Sequence, residues 1–95
     1  MTYKLKFLPS ALKEWKKLDT SVKQQLKKRL AERLINPHVP SAQLFGYINH
    51  YKIKLRNSGY RLVYEVIDNE LVIIVVVIGK REKGKVYSAL KKRQK

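Results

Sequence analysis

The chain has 95 residues, with 22 lysines and arginines against seven acidic residues, and a formal net charge of +15. That length predicts one small domain over residues 1–95, and a hydrophobic content of 44% argues against intrinsic disorder. Cysteine is absent, which excludes disulfides and thiol chemistry. The charge favours a nucleic-acid partner, although an acidic membrane, an acidic protein or a merely solvated surface remain alternatives.

One strand and two helices are predicted for the first part of the chain. Residues 3–8 alternate between apolar and basic side chains, as a half-buried strand does, and Pro9 ends the strand. Apolar residues at helical spacing predict an amphipathic helix over residues 10–18. A second helix follows the capping residue Asp19 and ends before Pro37. Its apolar stripe, which predicts packing on a sheet, consists of Val22, Leu26, Leu30 and Leu34.

A loop with two prolines and a glycine spans residues 36–49. It contains His38 and is followed by His50, and we expect both side chains to be exposed and catalytically inert. Two histidines among scattered acids do not make a convincing metal site. We therefore expect neither a metal ion nor a cofactor.

Three strands with short turns between them predict an antiparallel meander over residues 51–79. Residues 51–56 alternate between apolar and basic side chains, which indicates one core-facing and one cationic face. The run Leu71–Ile78 is apolar throughout, as in a central strand, and is too short to span a bilayer. With no signal-peptide pattern at the N-terminus, the sequence is compatible with a cytoplasmic protein.

The register of the first hairpin follows from its turn residues. A two-residue turn at Ser58-Gly59 would place Lys54 opposite Val63 and Lys52 opposite Glu65. This pairing gathers a cationic surface of Lys52, Lys54, Arg56 and Arg61. We expect an apolar row on the same face, which another segment must cover, made of Val72, Ile74, Val76 and Ile78.

The last part of the chain, residues 80–95, is dense in lysine and arginine. A thin apolar stripe of Val86, Ala89 and Leu90 predicts a short C-terminal helix that is weakly held on its own.

The residue types point to one class of reaction. The sequence has no glycine-rich phosphate loop, no nucleophile elbow and no metal-binding cluster, and what remains is a set of lysines, arginines and tyrosines. RNA carries its own nucleophile, the 2′-hydroxyl beside each phosphate. A lysine whose pKa is lowered by neighbouring cations can take its proton, while arginine stabilises the phosphorane. The alternative is that these cations only bind phosphate.

Several segments together resemble the RelE toxins: Leu44–Gly46, Tyr51–Arg56, Ser58–Tyr64, Gly79–Glu82 and Val86–Ser88, with Ala11–Trp15, Lys17-Leu18 and Gln25–Lys28 upstream. The resemblance spans nearly the whole chain. It implies an α+β fold in a small single domain: an N-terminal strand, a helical hairpin packed on an antiparallel three- to four-stranded sheet, and a short C-terminal helix. It further implies the toxin of a type II toxin–antitoxin system, a metal-independent endoribonuclease that cuts mRNA in the ribosomal A site.

The resemblance also implies the site residues. The family's catalytic positions fall on Lys52, Lys54, Arg61, Arg81 and Tyr87. Lys54, helped by Lys52, is favoured as the base, although the sequence does not decide between the two lysines. Arg61 would stabilise the phosphorane, and Arg81 would lie beside the leaving oxygen as an acid or an electrostatic stabiliser. Further cations are expected to contact RNA, namely Arg56, Lys80, Lys83, Lys23, Lys27 and Lys28. Phe45 departs from the family, because close relatives often carry a basic residue there.

The implied partners are mRNA, the 16S rRNA of the 70S ribosome, and an acidic RelB-like antitoxin that covers or displaces the C-terminal helix. Operator DNA would be bound only through the toxin–antitoxin complex, and no membrane contact is expected. The alternative function is a non-catalytic basic module that binds nucleic acid or an antitoxin.

Overall fold

The computed structural model describes residues 2–80 and 91–93. The elements in chain order are β1 (Lys4–Phe7), α1 (Pro9–Lys16), α2 (Thr20–Ile35), β2 (His50–Lys54), β3 (Tyr60–Ile67) and β4 (Val72–Lys80). Single 3₁₀ turns lie at Pro40–Ala42 and Asp68–Glu70. In the described part of the chain, none of the helices combines the length and apolarity that crossing a membrane requires.

The four strands form one sheet in the order β1-β4-β3-β2. The β2-β3-β4 meander is antiparallel, as predicted, whereas β1 joins β4 in parallel, with Lys4 beside Val72. The sheet is therefore mixed rather than antiparallel throughout. Because β1 and β2 lie at opposite edges, the helical hairpin between them carries the chain from one edge of the sheet to the other.

Local sequence signals explain both helices. Pro9 stands in the first turn of α1, where its missing N–H is not needed and its fixed φ suits a helix. Asp19 caps α2, because its carboxylate accepts a hydrogen bond from the backbone N–H of Val22 at 3.3 Å. The helix ends at Ile35, shortly before Pro37. The predicted helical hairpin is confirmed.

The helices cover one face of the sheet and form the main core with it. Leu26 and Leu30 of α2 are fully buried against Ile53, Leu62 and Tyr64 of the sheet. Burying one leucine side chain stabilises a fold by about 1.5–3 kcal/mol relative to leaving it exposed. The main core thus holds α2 and the β2–β3 hairpin in fixed positions, and so positions the side chains on the other face.

A β-bulge interrupts the ladder between β3 and β4. Val63 pairs with Val77, but the next residue, Tyr64, pairs with Val75, so Val76 is an extra residue on β4. A bulge reverses the facing of side chains on one strand relative to strict alternation and bends the strand. The alternation that the sequence suggests for β4 therefore fails at this point.

The bulge corrects the predicted apolar row. Ile78 pairs with Leu62 and belongs to the main core under the helices, so it does not share a face with Lys52 and Lys54. The second face instead carries a small cluster, in which Leu44 from the loop before β2 packs on Val63, Val76 and Val77. That loop covers this part of the sheet.

Candidate functional site

The β2–β3 hairpin presents cations on the face that the helices leave open. Ile53 and Leu62 are paired and point into the main core. Side chains one position along a strand point to the opposite face. The pairs Lys54–Arg61 and Lys52–Val63 therefore lie on the open face. The lysines at 52 and 54 and the arginine at 61 share one surface.

The turn of this hairpin is longer than predicted. The N–H of Leu55 donates to the carbonyl of Tyr60, and the N–H of Gly59 donates back to the carbonyl of Leu55, both at 2.9 Å. Gly59 has a φ of 76°, a left-handed conformation that glycine adopts without strain. The loop consists of residues 56–59, so Arg56 lies in the turn rather than on the strand.

The longer loop shifts the register by two residues. The predicted pairs of Lys54 with Val63 and of Lys52 with Glu65 are wrong, because Glu65 stands opposite His50. A shift by an even number leaves every side chain on its expected face. The cationic surface is therefore retained, but Lys52 does not face a carboxylate.

Arg61 lies at the centre of a row that crosses three strands. On one side it faces Lys54 of β2, and on the other it faces Gly79 of β4, which has no side chain to fill the space. Beside the row is a cleft of about 350 Å³, here called the hairpin cleft. Its lining residues are Lys54, Leu55, Arg56, Gly59, Tyr60 and Arg61. The arrangement suits a phosphate group held between a lysine and an arginine fork.

Arg93, near the C-terminus, is hydrogen-bonded to the backbone of β4. Residues 91–93 are helical, and the guanidinium of Arg93 donates to the carbonyl of Val76 at 2.7 Å. It also donates to both carboxylate oxygens of Glu14, at 3.0 and 3.3 Å, while the N–H of Ile78 donates to the same carboxylate at 3.1 Å. We call Glu14 and Arg93 the edge clasp, because they satisfy the backbone groups of β4 that lie past the end of β1.

The structure describes only some of the other predicted site residues. Arg81, Lys83 and Tyr87 lie outside the described residues. Lys80 pairs with Tyr60, and its ammonium lies 5.6 Å from the centre of the Tyr60 ring. The three helix lysines belong to α2, which packs on the face opposite to Lys54 and Arg61. They are Lys23, Lys27 and Lys28.

Comparison with known proteins identifies the family to which this chain belongs. A family model described as the ParE toxin of the parDE type II toxin–antitoxin system matches residues 5–84. The mRNA interferase toxin RelE of Escherichia coli strain K12 is 53% identical over 93 residues, which is 98% of each chain. The chain belongs to the RelE/ParE family of type II toxins. The predicted family and fold class are thereby confirmed.

Solved structures of RelE have the same fold over most of the chain. An E. coli RelE double mutant in the free state matches with a TM-score of 0.90 and 52% identity over 98% of both chains. The RelE toxin in the intact E. coli RelBE toxin–antitoxin complex matches with a TM-score of 0.83 and 52% identity, covering 85% of this chain and 99% of that one.

Both histidines of this RelE-family chain are more constrained than the sequence suggests. His50 is only 3% exposed, and its Nδ1 lies 2.8 Å from the carbonyl of Ile48. The ring nitrogens of His38 lie 2.8 Å from the hydroxyl of Tyr51 and 2.8 Å from a carboxylate oxygen of Asp68. The prediction that both are exposed is wrong for His50. Among the residues described, histidines and acids form no cluster of three suited to a metal ion.

Asp68 connects His38 to the N-terminal strand. Its carboxylate accepts hydrogen bonds from His38 and from the hydroxyl of Tyr3, at 2.8 and 2.7 Å, and these bonds lower the pKa of Asp68. The same carboxylate raises the pKa of Tyr3, mainly through the hydrogen bond, and burial raises the pKa of Tyr51. This network connects the loop after α2 to Tyr3, next to β1, and to Tyr51 in β2, and it has a structural role.

Sequence reasoning also missed the buried cation of α2. Its pattern puts Arg33 on the solvated helix face, yet Arg33 is 8% exposed. Its Nη1 donates to the carbonyl of Lys52 at 3.3 Å and to the hydroxyl of Tyr64 at 2.9 Å. Arg29, one turn earlier, donates to the carbonyl of Lys54 at 3.3 Å. The available signal was the position of Arg33, three residues after Leu30 and seven after Leu26, which puts it on the same side of the helix as the leucines.

Proposed function

We propose that this RelE-family toxin is an endoribonuclease that cleaves mRNA in the ribosomal A site and so inhibits translation. The observation that carries the proposal is the Lys54–Arg61 pair on the open face of the hairpin, with Lys52 two residues away on the same strand. The 53% identity to an mRNA interferase, over nearly the whole of both chains, supports it. Residues 1–95 would act as one toxin domain in the cytoplasm.

The proposed reaction is an internal transesterification of RNA. The 2′-oxygen attacks the adjacent phosphorus, its proton passes to the amine of Lys54, and the bond from phosphorus to the 5′-oxygen breaks. The products are a 2′,3′-cyclic phosphate and a 5′-hydroxyl; the 5′-oxygen takes its proton from solvent water, and Lys54 returns the proton it accepted to solvent. Because the nucleophile comes from the substrate, the protein need only align it, move protons and stabilise charge.

The hairpin cations have distinct tasks in this reaction. Arg61 donates its planar fork to the phosphate oxygens, where negative charge grows in the transition state. Lys52 adds positive charge beside Lys54 on the same face. From the family resemblance, Arg81 would act at the leaving oxygen and Tyr87 would orient the reacting groups. No metal ion is required by this scheme, since lysine and arginine supply the proton transfer and the charge stabilisation.

An acidic RelB-like antitoxin is the proposed partner that neutralises the toxin. The supporting observations are the net charge of +15 and the similarity to the toxin of the intact E. coli RelBE complex. Operator DNA would be bound by the toxin–antitoxin complex and not by the toxin alone. Purifying the chain with the product of the neighbouring reading frame tests this, because a mainly electrostatic complex should weaken at high salt.

Primer extension on a defined mRNA, with and without 70S ribosomes, tests the activity. The proposal expects cuts inside the codon of the A site, and only when ribosomes are present. Cuts on free RNA of equal strength would refute the ribosome dependence. No cuts under either condition, with translation still blocked, would instead favour the non-catalytic basic module.

A further inference from the structure

A second cationic cleft lies where α2 passes the outer edge of β2, and we call it the edge cleft. Its volume is about 570 Å³. Five of its lining residues are cations and none is acidic. The cations are Arg29, Arg33, Lys52, Lys54 and Arg56. The two arginines belong to α2 and reach the edge cleft from the helix side, while the other three cations come from the hairpin.

We propose that the edge cleft is a phosphate-binding site for an RNA strand that passes through the proposed cleavage site. The proposal rests on the proposed function for the identity of the RNA, and on the geometry of the edge cleft for the site itself. The chemistry of the ligand is a phosphodiester, with its ribose within reach of neutral polar side chains such as Gln25, Ser41 and Asn57.

The buried guanidinium of Arg33 is the first argument. It is 8% exposed, and its hydrogen bonds go to two neutral acceptors, the carbonyl of Lys52 and the hydroxyl of Tyr64. The ion pairs found among residues 2–80 and 91–93 join other groups, so no carboxylate balances this charge there. A buried charge without a counter-ion is unfavourable, and an anion in the edge cleft would balance it.

The second argument comes from Arg29. Its hydrogen bond to the carbonyl of Lys54 is made by Nη1 alone, at 3.3 Å. A guanidinium has further N–H donors in a fixed plane, and their geometry matches two phosphate oxygens at once. The bond to Lys54 directs the guanidinium along the lining of the edge cleft, and such a bond formed before a ligand arrives reduces the entropy cost of binding.

Continuity with the hairpin cleft is the third argument. Lys54, Leu55 and Arg56 line both clefts. A strand held at Arg61 in the hairpin cleft would thus continue over Lys54 and Arg56 into the edge cleft without crossing an acidic residue. An acidic peptide from a protein partner is the competing occupant. RNA is favoured because successive phosphates follow a path of successive cations.

A pair of adjacent glutamines gives a matched test. Gln25 lines the edge cleft, whereas Gln24 is exposed on another side of α2 and outside both clefts. Gln25→Glu and Gln24→Glu make the same isosteric change and the same change in net charge. Binding of the full-length toxin to a non-cleavable 2′-O-methyl RNA strand, followed by fluorescence anisotropy over a range of salt, compares them.

Gln25→Glu should weaken RNA binding by roughly three- to tenfold, while Gln24→Glu should stay near wild type. The salt slope of Gln25→Glu should fall by about 0.7 for each phosphate that the toxin no longer neutralises. Arg29→Gln should behave like Gln25→Glu, and Lys16→Gln on α1 is its charge-matched control. Equal weakening in Gln25→Glu and Gln24→Glu would show that only net charge matters and would overturn the proposal.

A second arm with vacant 70S ribosomes distinguishes the source of the phosphate. Weaker binding of the short strand indicates mRNA, and weaker binding confined to ribosomes indicates rRNA; either result supports the edge cleft. Weaker binding only toward an acidic peptide would overturn it. Failure of the proposed cleavage would be seen separately, because the binding arms need no catalysis.

Discussion

Backbone groups without a neighbouring strand occur near both edges of the sheet, and different side chains bind them at each edge. Past the end of β1, the carbonyl of Val76 and the N–H of Ile78 are met by the edge clasp, a carboxylate and a guanidinium whose charges cancel. Along β2, the carbonyl of Lys52 accepts a hydrogen bond from Arg33 and the carbonyl of Lys54 accepts one from Arg29. Unpaired edges invite pairing with other strands, and both arrangements satisfy backbone groups that such a strand would use.

The difference between the two edges suggests that one contributes mainly to stability and the other mainly to function. The edge clasp is neutral and joins α1 and Arg93 to β4, so its removal should appear in the free energy of unfolding. The β2 edge gathers arginines beside the proposed cleavage site, and none of the ion pairs in residues 2–80 and 91–93 involves Arg29 or Arg33, so changes there should appear in RNA binding and cleavage. Three substitutions test that division, beginning with the one of largest expected effect, and a fourth tests the Asp68 network, which lies outside both edges.

Arg61→Ala should lower the rate of A-site cleavage by about 10²–10³-fold, because a donor to the developing phosphorane charge is removed. The free energy of unfolding should change less, since the neighbouring residue Leu62, not Arg61, is the one buried in the main core. Single-turnover cleavage on programmed ribosomes and urea unfolding measure the two quantities. Lys4→Ala, which removes one charge at the far edge of the sheet, is the control and should cleave normally. A variant that folds and keeps wild-type rates would remove Arg61 from the site.

Glu14→Ala should destabilise the fold by about 2 kcal/mol, because the N–H of Ile78 and the guanidinium of Arg93 both lose their acceptor. Glu14→Gln keeps a neutral acceptor and should be destabilised less. Urea unfolding compares the three proteins. If Glu14→Ala changed the free energy of unfolding by less than about 0.5 kcal/mol, the edge clasp would be a surface contact without structural weight.

Arg33→Met should cost about 1 kcal/mol in the free energy of unfolding. Methionine fills much of the same volume, but the carbonyl of Lys52 and the hydroxyl of Tyr64 lose a donor. Tyr64→Phe and the double variant complete a thermodynamic cycle that isolates the Arg33–Tyr64 contact. RNA binding should weaken in Arg33→Met and not in Tyr64→Phe. Equal weakening in both would assign the effect to packing instead of charge.

Asp68→Asn should change how the free energy of unfolding depends on pH more than it changes the value of that free energy at neutral pH. The folded pKa of Asp68 lies below its ordinary value, chiefly through the hydrogen bond with His38. A lowered folded pKa contributes stability that is present above the unfolded pKa and is lost as pH falls through the folded pKa. The difference between wild type and Asp68→Asn should therefore shrink in acid. A difference that stays constant from neutral pH into acid would contradict this role.

The parts of the fold that depend on local chemistry were predictable. Pro9 and Asp19 mark the helix starts, and strict alternation along residues 51–54 fixes which side chains share a face. The four-residue loop was missed because a shift by two residues preserves that alternation, so the pattern cannot distinguish the registers. The bulge at Val76 lies in an apolar run that reads the same on either face.

Contacts between distant segments were beyond the sequence. The edge clasp joins Glu14 to Arg93, and Arg33 reaches Tyr64 across the interior. Glu14, Arg33 and Arg93 are each typical of a solvated helix surface, and only the packing of the helices on the sheet brings them to their partners. The edge cleft follows from Arg33 and was therefore not predictable either.

The measurement that tests the central claim most directly is cleavage of an mRNA in which one nucleotide of the A-site codon carries a 2′-deoxyribose. The toxin, the ribosome and every other nucleotide stay the same. If the hairpin cations promote attack by the substrate's own 2′-oxygen, the bond after the deoxy nucleotide will stay intact while the unmodified mRNA is cut to a 2′,3′-cyclic phosphate. Cleavage of the deoxy-substituted bond at an undiminished rate would contradict the account.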